Sequence, residues 1–188
     1  MNYPEQYRSK LQEAIGAIPL DKVEEAIGVL ARARDEGRTI FVCGNGGSAS
    51  TASHFACDLV KGASYGRRSR FRIQALTDSL PTITAYANDV GFDQVFVEQL
   101  KNFAAAGDVL LAISGSGNSP NVLHAVEYAN SIGCHTIGLS GRDGGQLAPL
   151  VRLSIQVPVP HMGRIEEAHF TICHMIGYYF MEEAQGAR

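Results

Sequence analysis

Val109-Leu-Leu-Ala-Ile-Ser114-Gly-Ser116-Gly-Asn-Ser119-Pro120-Asn121 decides the fold. Five apolar residues without a polar alternation read as a strand buried on both faces, as in a parallel sheet. A loop rich in glycine and hydroxyl groups follows, and Pro120 suits the first turn of a helix, where its missing N–H costs little. Ser119 then stands at the N-cap. The same texture recurs twice. Thr39-Ile-Phe-Val-Cys43 runs into Gly44-Asn45-Gly46-Gly47-Ser48, and Thr136-Ile-Gly-Leu139 runs into Ser140-Gly-Arg-Asp-Gly-Gly145.

Two weaker strands are predicted at 73–76 and 153–157. Helical periodicity is predicted over 47–62, 79–88, 93–104, 119–132 and 163–184. Strands alternating with helices predict a doubly wound α/β fold with a parallel sheet, whose ligands bind at the carboxyl ends of the strands. Ahead of this core, Tyr7, Leu11, Ile15 and Ile18 make one helical stripe and Pro19 breaks it. Val23, Ala26, Ile27, Leu30 and Ala31 make a second, closed near Gly37. The chain therefore reads as one domain, 1–188, with an N-terminal helical hairpin at 1–37 and an α/β core with its C-terminal helix at 38–188.

Composition excludes several classes. Of the 188 residues, 45% are hydrophobic and 19% charged, and the net charge is −3. A slightly acidic chain lacks the basic face that nucleic acid requires. No apolar run reaches the length of a membrane span, about 20 residues. The polar N-terminus carries no secretory pattern. Cys43, Cys57, Cys134 and Cys173 are scattered, which fits reduced thiols in the cytoplasm. Of the 20 glycines, nine (44, 46, 47, 115, 117, 138, 141, 144 and 145) are assigned to the three strand-end loops.

Glycines let backbone N–H groups converge, and a helix start adds partial positive charge. With Ser114, Ser116 and Ser119 as donors, the second loop predicts a phosphate site; three hydroxyls and two glycines in six residues exceed what an ordinary cap needs. The first loop, with Asn45, Gly46, Gly47 and Ser48, has neither the dinucleotide glycine order nor the Gly-Lys-Ser/Thr of a P-loop, so no nucleotide cofactor is expected. His54 and Asp58 stand four apart on one helix face. That spacing serves a metal, an acid–base pair or an incidental surface pair. In the last helix, Glu166 with His169 and Glu167 with His174 are each expected on one face. Its apolar stripe is Ile165, Ala168, Ile172, Ile176 and Tyr179, and its second half is apolar nearly all round, as for a helix covered by another subunit. Asn88-Asp89 ends a helix near the same sheet edge or lies in a solvated turn. Lys61, Arg67, Arg68, Arg70 and Arg72 form a basic run suited to solvent or to anion steering. His124 and His135 have no partner in view.

Taken jointly, Cys-Gly-Asn-Gly-Gly-Ser, His54-Phe-Ala-x-Asp58-Leu, Ile-Ser114-x-Ser116-Gly-Asn-Ser119 and Arg164-Ile-Glu-Glu-x-His169 resemble the sugar isomerase (SIS) domain family, and within it the sedoheptulose 7-phosphate isomerases. The resemblance spans nearly the whole chain. It implies a five-stranded parallel sheet flanked by helices, a flavodoxin-like three-layer sandwich, and a homotetramer with sites shared between subunits. It implies conversion of D-sedoheptulose 7-phosphate to D-glycero-D-manno-heptose 7-phosphate, the first step towards activated heptose for surface polysaccharide. Ser114, Gly115, Ser116 and Ser119 would hold the phosphate, with Asn45, Gly46, Gly47, Ser48, Asn88 and Asp89 nearby. Zinc would sit on His54, Asp58, Glu166 and His174. Asp58 matches the family base and His174 the acid, with Glu166 as third ligand or substitute base. Four positions depart from the family: Asp58 replaces Glu, Glu166 replaces Gln, Gly115 replaces Thr and Gly163 replaces Asp.

Glu166 and His174 lie eight residues apart, about 12 Å along a helix, so one ion needs long reaches or ligands from two subunits to join both. The rival reading is a non-catalytic member of the family that binds a phosphosugar or a protein, of the replication-initiator-associating type. The imidazoles and carboxylates on the first and last core helices favour the enzyme.

Overall fold

The computed structural model describes residues 2–183. Five parallel strands, β1 (Thr39–Gly44), β2 (Arg72–Ala75), β3 (Val109–Ser114), β4 (His135–Gly141) and β5 (Leu153–Val157), lie in the order β2-β1-β3-β4-β5. The three strands read as doubly buried are the central ones, with every residue buried except half-buried Thr39 and His135. β2 and β5 form the edges and alternate in exposure. The expected doubly wound five-stranded sheet is present.

The helices are α1 (Tyr3–Gly16), α2 (Leu20–Asp35), α3 (Gly47–Cys57), α4 (Leu80–Asp89), α5 (Val97–Phe103), α6 (Pro120–Ser131), α7 (Leu147–Leu150) and α8 (Met162–Glu183). One apolar layer, holding Leu30, Phe55, Leu59, Ile172 and Phe180, joins α2, α3 and α8 to one face of the sheet. The other, with Phe41, Leu76, Phe96, Leu110 and Val126, joins α5 and α6 to the opposite face. α1 starts on a capping box, with Glu5 N–H donating to Asn2 and Asn2 N–H to Glu5.

Several boundaries differ from the expectation. The helix expected over 93–104 is a 3₁₀ turn at 92–94 followed by α5, because consecutive Val95 and Phe96 are both buried between them. The helix expected over 47–62 changes at Asp58 into a π-turn, whose Ala63 N–H donates to the Asp58 carbonyl at 2.9 Å. α7 has no counterpart in the sequence reading; buried Leu147 docks it on the second apolar layer. Residue 184, assigned to the last helix, lies outside the described residues, and Gly138 sits inside β4 rather than in a loop. On α8 it is Phe180, buried, that continues the stripe, whereas Tyr179 is 44% exposed. Arg67 is structural: its guanidinium donates to the carbonyls of Phe180 and Met181 near the end of α8.

Candidate active site

In a 2-1-3-4-5 sheet the chain turns in opposite directions from β1 and β3, which opens a crevice between their carboxyl ends. The two glycine loops stand at that crevice. They are tied together by a reciprocal amide pair: Asn45 Nδ2 donates to Asn121 Oδ1 at 2.8 Å, and Asn121 Nδ2 donates to Asn45 Oδ1 at 2.9 Å. Asn121 is buried, and nothing in the sequence reading marked it.

The serine loop is shaped by close backbone approach. Gly117 has φ +67°, and a Cβ there would lie 2.1 Å from the Gly144 carbonyl oxygen. Leu147 N–H donates to the Gly117 carbonyl at 2.9 Å, and Gln146 N–H donates to Asn118 Oδ1 at 3.1 Å. The β4 loop thus serves as a mould for the serine loop. Ser119 occupies the N-cap position of α6, yet its hydroxyl makes no cap bond; it lies 3.2 Å from the Ser114 hydroxyl. Asn118 N–H donates to Ser116 Oγ at 3.2 Å. Serine hydroxyls and a loop N–H therefore gather where the helix begins, the arrangement that accepts an anion.

The first loop is equally tight. A Cβ on Gly44 would lie 2.7 Å from Ser48 Cβ, and one on Gly47 would lie 2.7 Å from the Glu166 carboxylate. Glu166 thus rests its charge on the first turn of α3, where the helix dipole favours it. Tyr7, Gly47, Ser50, Thr51, Glu166 and Phe170 line a cleft of about 290 Å³ between α3 and α8.

Beyond Phe170 lies the titratable cluster. His54 Nε2 stands 3.4 Å from Asp58 Oδ2, His174 Nε2 stands 3.8 Å from the same oxygen, and the two imidazole nitrogens are 3.1 Å apart. The Phe170 ring packs against both imidazoles, with centroids 4.8 Å from His54 and 4.4 Å from His174. The three ligand atoms lie within 4.8 Å of one another. A tetrahedral metal with ligands at about 2.1 Å spaces its corners about 3.4 Å apart. Asp58 Oδ2 is buried and has no hydrogen-bond partner among the described residues. An orphaned carboxylate oxygen beside two facing imidazole nitrogens fits a divalent cation.

Other expected pairings do not form. Glu166, Phe170, His174 and Tyr178 follow each other at four-residue steps, with ring contacts from Phe170 to His174 and on to Tyr178. Glu166 therefore shares a stripe with His174 and not with His169, and it stays at Gly47, outside the metal-compatible cluster. Glu167 is exposed. His169 is buried, and burial pushes its pKa down to about 4. Its Nε2 lies 3.1 Å from the Ser140 carbonyl. The four-residue step would have revealed Phe170 in the sequence; Tyr7 enters from α1 and left no local signal. Asn88 and Asp89 are exposed at the end of α4, where the Asn88 amide donates to Asp89 at 2.7 Å and not to the serine loop. His124 does have partners, with Nδ1 3.2 Å from both the Asp93 carbonyl and Gln94 Nε2.

Fold and site define a doubly wound α/β protein with a serine- and glycine-lined loop at its β1/β3 crevice and a cluster of two imidazoles and a carboxylate where α3 meets α8. The SIS domain model matches residues 2–141, and the chain belongs to the SIS domain family. It is 41% identical over 167 residues to a phosphoheptose isomerase of Geotalea daltonii, covering 89% of this chain and 86% of that one. It is 44% identical over 154 residues to a phosphoheptose isomerase of Citrifermentans bemidjiense, covering 82% of this chain and 80% of the other. The structure of phosphoheptose isomerase from Neisseria gonorrhoeae superposes with a TM-score of 0.84 at 34% identity, over 95% of this chain and 98% of that one.

Proposed function

We propose that this chain is a phosphoheptose isomerase, interconverting D-sedoheptulose 7-phosphate and D-glycero-D-manno-heptose 7-phosphate at the head of activated-heptose synthesis. The observation that carries this is the pairing of a serine loop at the β1/β3 crevice with a His54–Asp58–His174 cluster where α3 meets α8, in a chain whose relatives at about 40% identity bear that name.

Ketose-to-aldose conversion moves one proton from C1 to C2 and another from O1 to O2, through an enediol. A carboxylate suits the carbon proton and an imidazole the oxygen proton. Ser114, Ser116, Ser119 and the backbone N–H groups of the loop grip the phosphate, and that remote grip positions the reacting end. Asn45, Gly46, Gly47 and Ser48 border the sugar. Asp58 and His174 are the acid–base pair we assign, and Glu166 is a second carboxylate, in the cleft beside Phe170. A zinc ion held by His54, Asp58 and His174 would polarise the substrate carbonyl. With those three engaged, Glu166 is the carboxylate left for proton transfer.

A homotetramer is part of this reading. α4 buries none of its residues, and Leu80, Val90 and Phe92 on it and just after it are exposed. Tyr3, Leu20, Tyr178 and Tyr179 are exposed elsewhere. On this reading these side chains are covered by neighbouring subunits. Asn88 and Asp89, at the end of α4, then lie where a neighbouring subunit's site can use them. The free cysteines fit the reducing cytoplasm. Among the described residues, no helix is long and apolar enough to cross a membrane.

The test is incubation of the purified protein with sedoheptulose 7-phosphate, with and without added zinc, followed by NMR. Aldose signals of the heptose 7-phosphate are expected; their absence under both conditions overturns the proposal.

A further inference from the structure

His169 is the imidazole of α8 that the chemistry above leaves unused. It is 0% exposed and surrounded on its own helix by buried Ile165, Ala168, Ile172 and Cys173. Burial lowers its pKa, so the ring is neutral at pH 7 and Nε2–H donates to the Ser140 carbonyl at 3.1 Å. Nδ1 has no partner among the described residues. A leucine would fill such a place without leaving a polar atom orphaned, which costs free energy. The ring therefore supplies something that apolar packing does not, a directional bond.

What that bond holds is set by sheet register. Ser140 is the neighbour of Ser114 across the β3–β4 pair, and Ser114 opens the serine loop. One and two turns earlier on α8, the side chains of Ile165 and Met162 press on the same strand ends. A Cβ on Gly115 would lie 2.5 Å from Met162 Sδ, and one on Gly141 would lie 2.4 Å from Ile165 Cδ1. Those contacts are apolar and permit sliding; the His169 bond does not. From the same helix Glu166 reaches the start of α3 at Gly47, and His174 reaches His54 and Asp58.

We infer that His169 is a positioning residue, whose bond to Ser140 fixes α8 along and about its axis relative to the serine loop, and so sets the span between the phosphate grip and Glu166 and His174. The inference rests on the isomerase reading for its kinetic test and on geometry alone for its spectroscopic one. A misplacement of about 1 Å can cost on the order of 10²-fold in rate.

His169→Leu and His169→Gln are compared with the full wild-type chain. The glutamine amide restores a donor near the position of Nε2. His169→Leu is expected to stay folded, to bind inorganic phosphate within about twofold of wild type and to lose kcat by about 10²-fold, while His169→Gln stays within about tenfold of wild-type kcat. Wild-type kcat in His169→Leu overturns the inference, and so does an equal loss of kcat in both variants. If the leucine variant does not fold, the glutamine variant decides: kcat within tenfold supports the inference and a greater loss overturns it. Independently of turnover, inorganic phosphate is expected to shift the amide resonances of Glu166–His174 in wild type, and this response is expected to vanish in His169→Leu and to return in His169→Gln. An undiminished response in the leucine variant, or none in wild type, overturns the inference. A wild-type protein that shows the response and makes no heptose 7-phosphate refutes the isomerase reading and leaves the positioning role standing.

Discussion

At the β1/β3 crevice, the continuous stretch Ser114–Ser119 supplies hydroxyls and loop N–H groups, and backbone packed on backbone fixes their places. Where α3 meets α8, His54 and His174 come together although 120 residues apart in the chain, and Asp58 joins them from the turn that ends α3. The first is made of main chain and small residues, so its shape depends on glycines such as Gly117, where a Cβ would meet the Gly144 carbonyl. The second is made of long side chains, so its shape depends on how α3 and α8 are held. The first should therefore break through backbone strain and the second through chemistry, with little crossover between them.

His174→Ala sharpens that contrast most. Removing an acid–base group costs about 10²–10⁴-fold in turnover, and inorganic phosphate should still bind as in wild type when titrated by calorimetry. Loss of phosphate binding in this variant would break the contrast. Gly117→Ala should do the reverse. Its Cβ meets the Gly144 carbonyl and its φ is +67°, so a strain of about 1–3 kcal/mol is expected. Phosphate affinity should fall by at least tenfold, measured in the same titration, while the affinity of the His54–Asp58–His174 cluster for zinc is retained.

The buried His169 gives a pH dependence of similar size to that strain. Its folded pKa of about 4 lies below the unfolded value near 6.5. The unfolded chain thus binds the extra proton first, and stability falls as pH drops from about 6.5 to about 4. That contribution is complete above pH 6.5 and amounts to about 3 kcal/mol. Urea titrations at several pH values should give a flatter profile for His169→Leu. The smallest effect is expected at the bridge between the loops. Asn121→Ala leaves the Asn45 amide without its partner, at a cost of about 1–2 kcal/mol, read as a drop in Tm of a few degrees.

The same contrast explains what was legible in the sequence. The central strands and the serine loop could be read because buried parallel strands are apolar throughout and glycines with hydroxyls follow each other locally. The pairing of His54 with Asp58 followed from a four-residue step. The meeting with His174 depends on how α8 crosses α3, which no local spacing encodes; it came from family resemblance. Glu166 and His169 were paired at a three-residue step, but the helix turns one to the α3 N-terminus and the other into the core. Asn121 stayed invisible because a buried asparagine in a first helical turn looks like any cap-region residue until its partner is in place.

The most direct measurement sets Asp58→Asn beside wild type in matched samples of sedoheptulose 7-phosphate, with phosphorus NMR following binding and proton NMR following the product. The expected result is phosphate-end binding unchanged in both proteins and heptose 7-phosphate formed by wild type alone. Equal turnover by the two proteins, or loss of binding in the variant, would contradict a site whose serine loop grips and whose histidine cluster reacts separately.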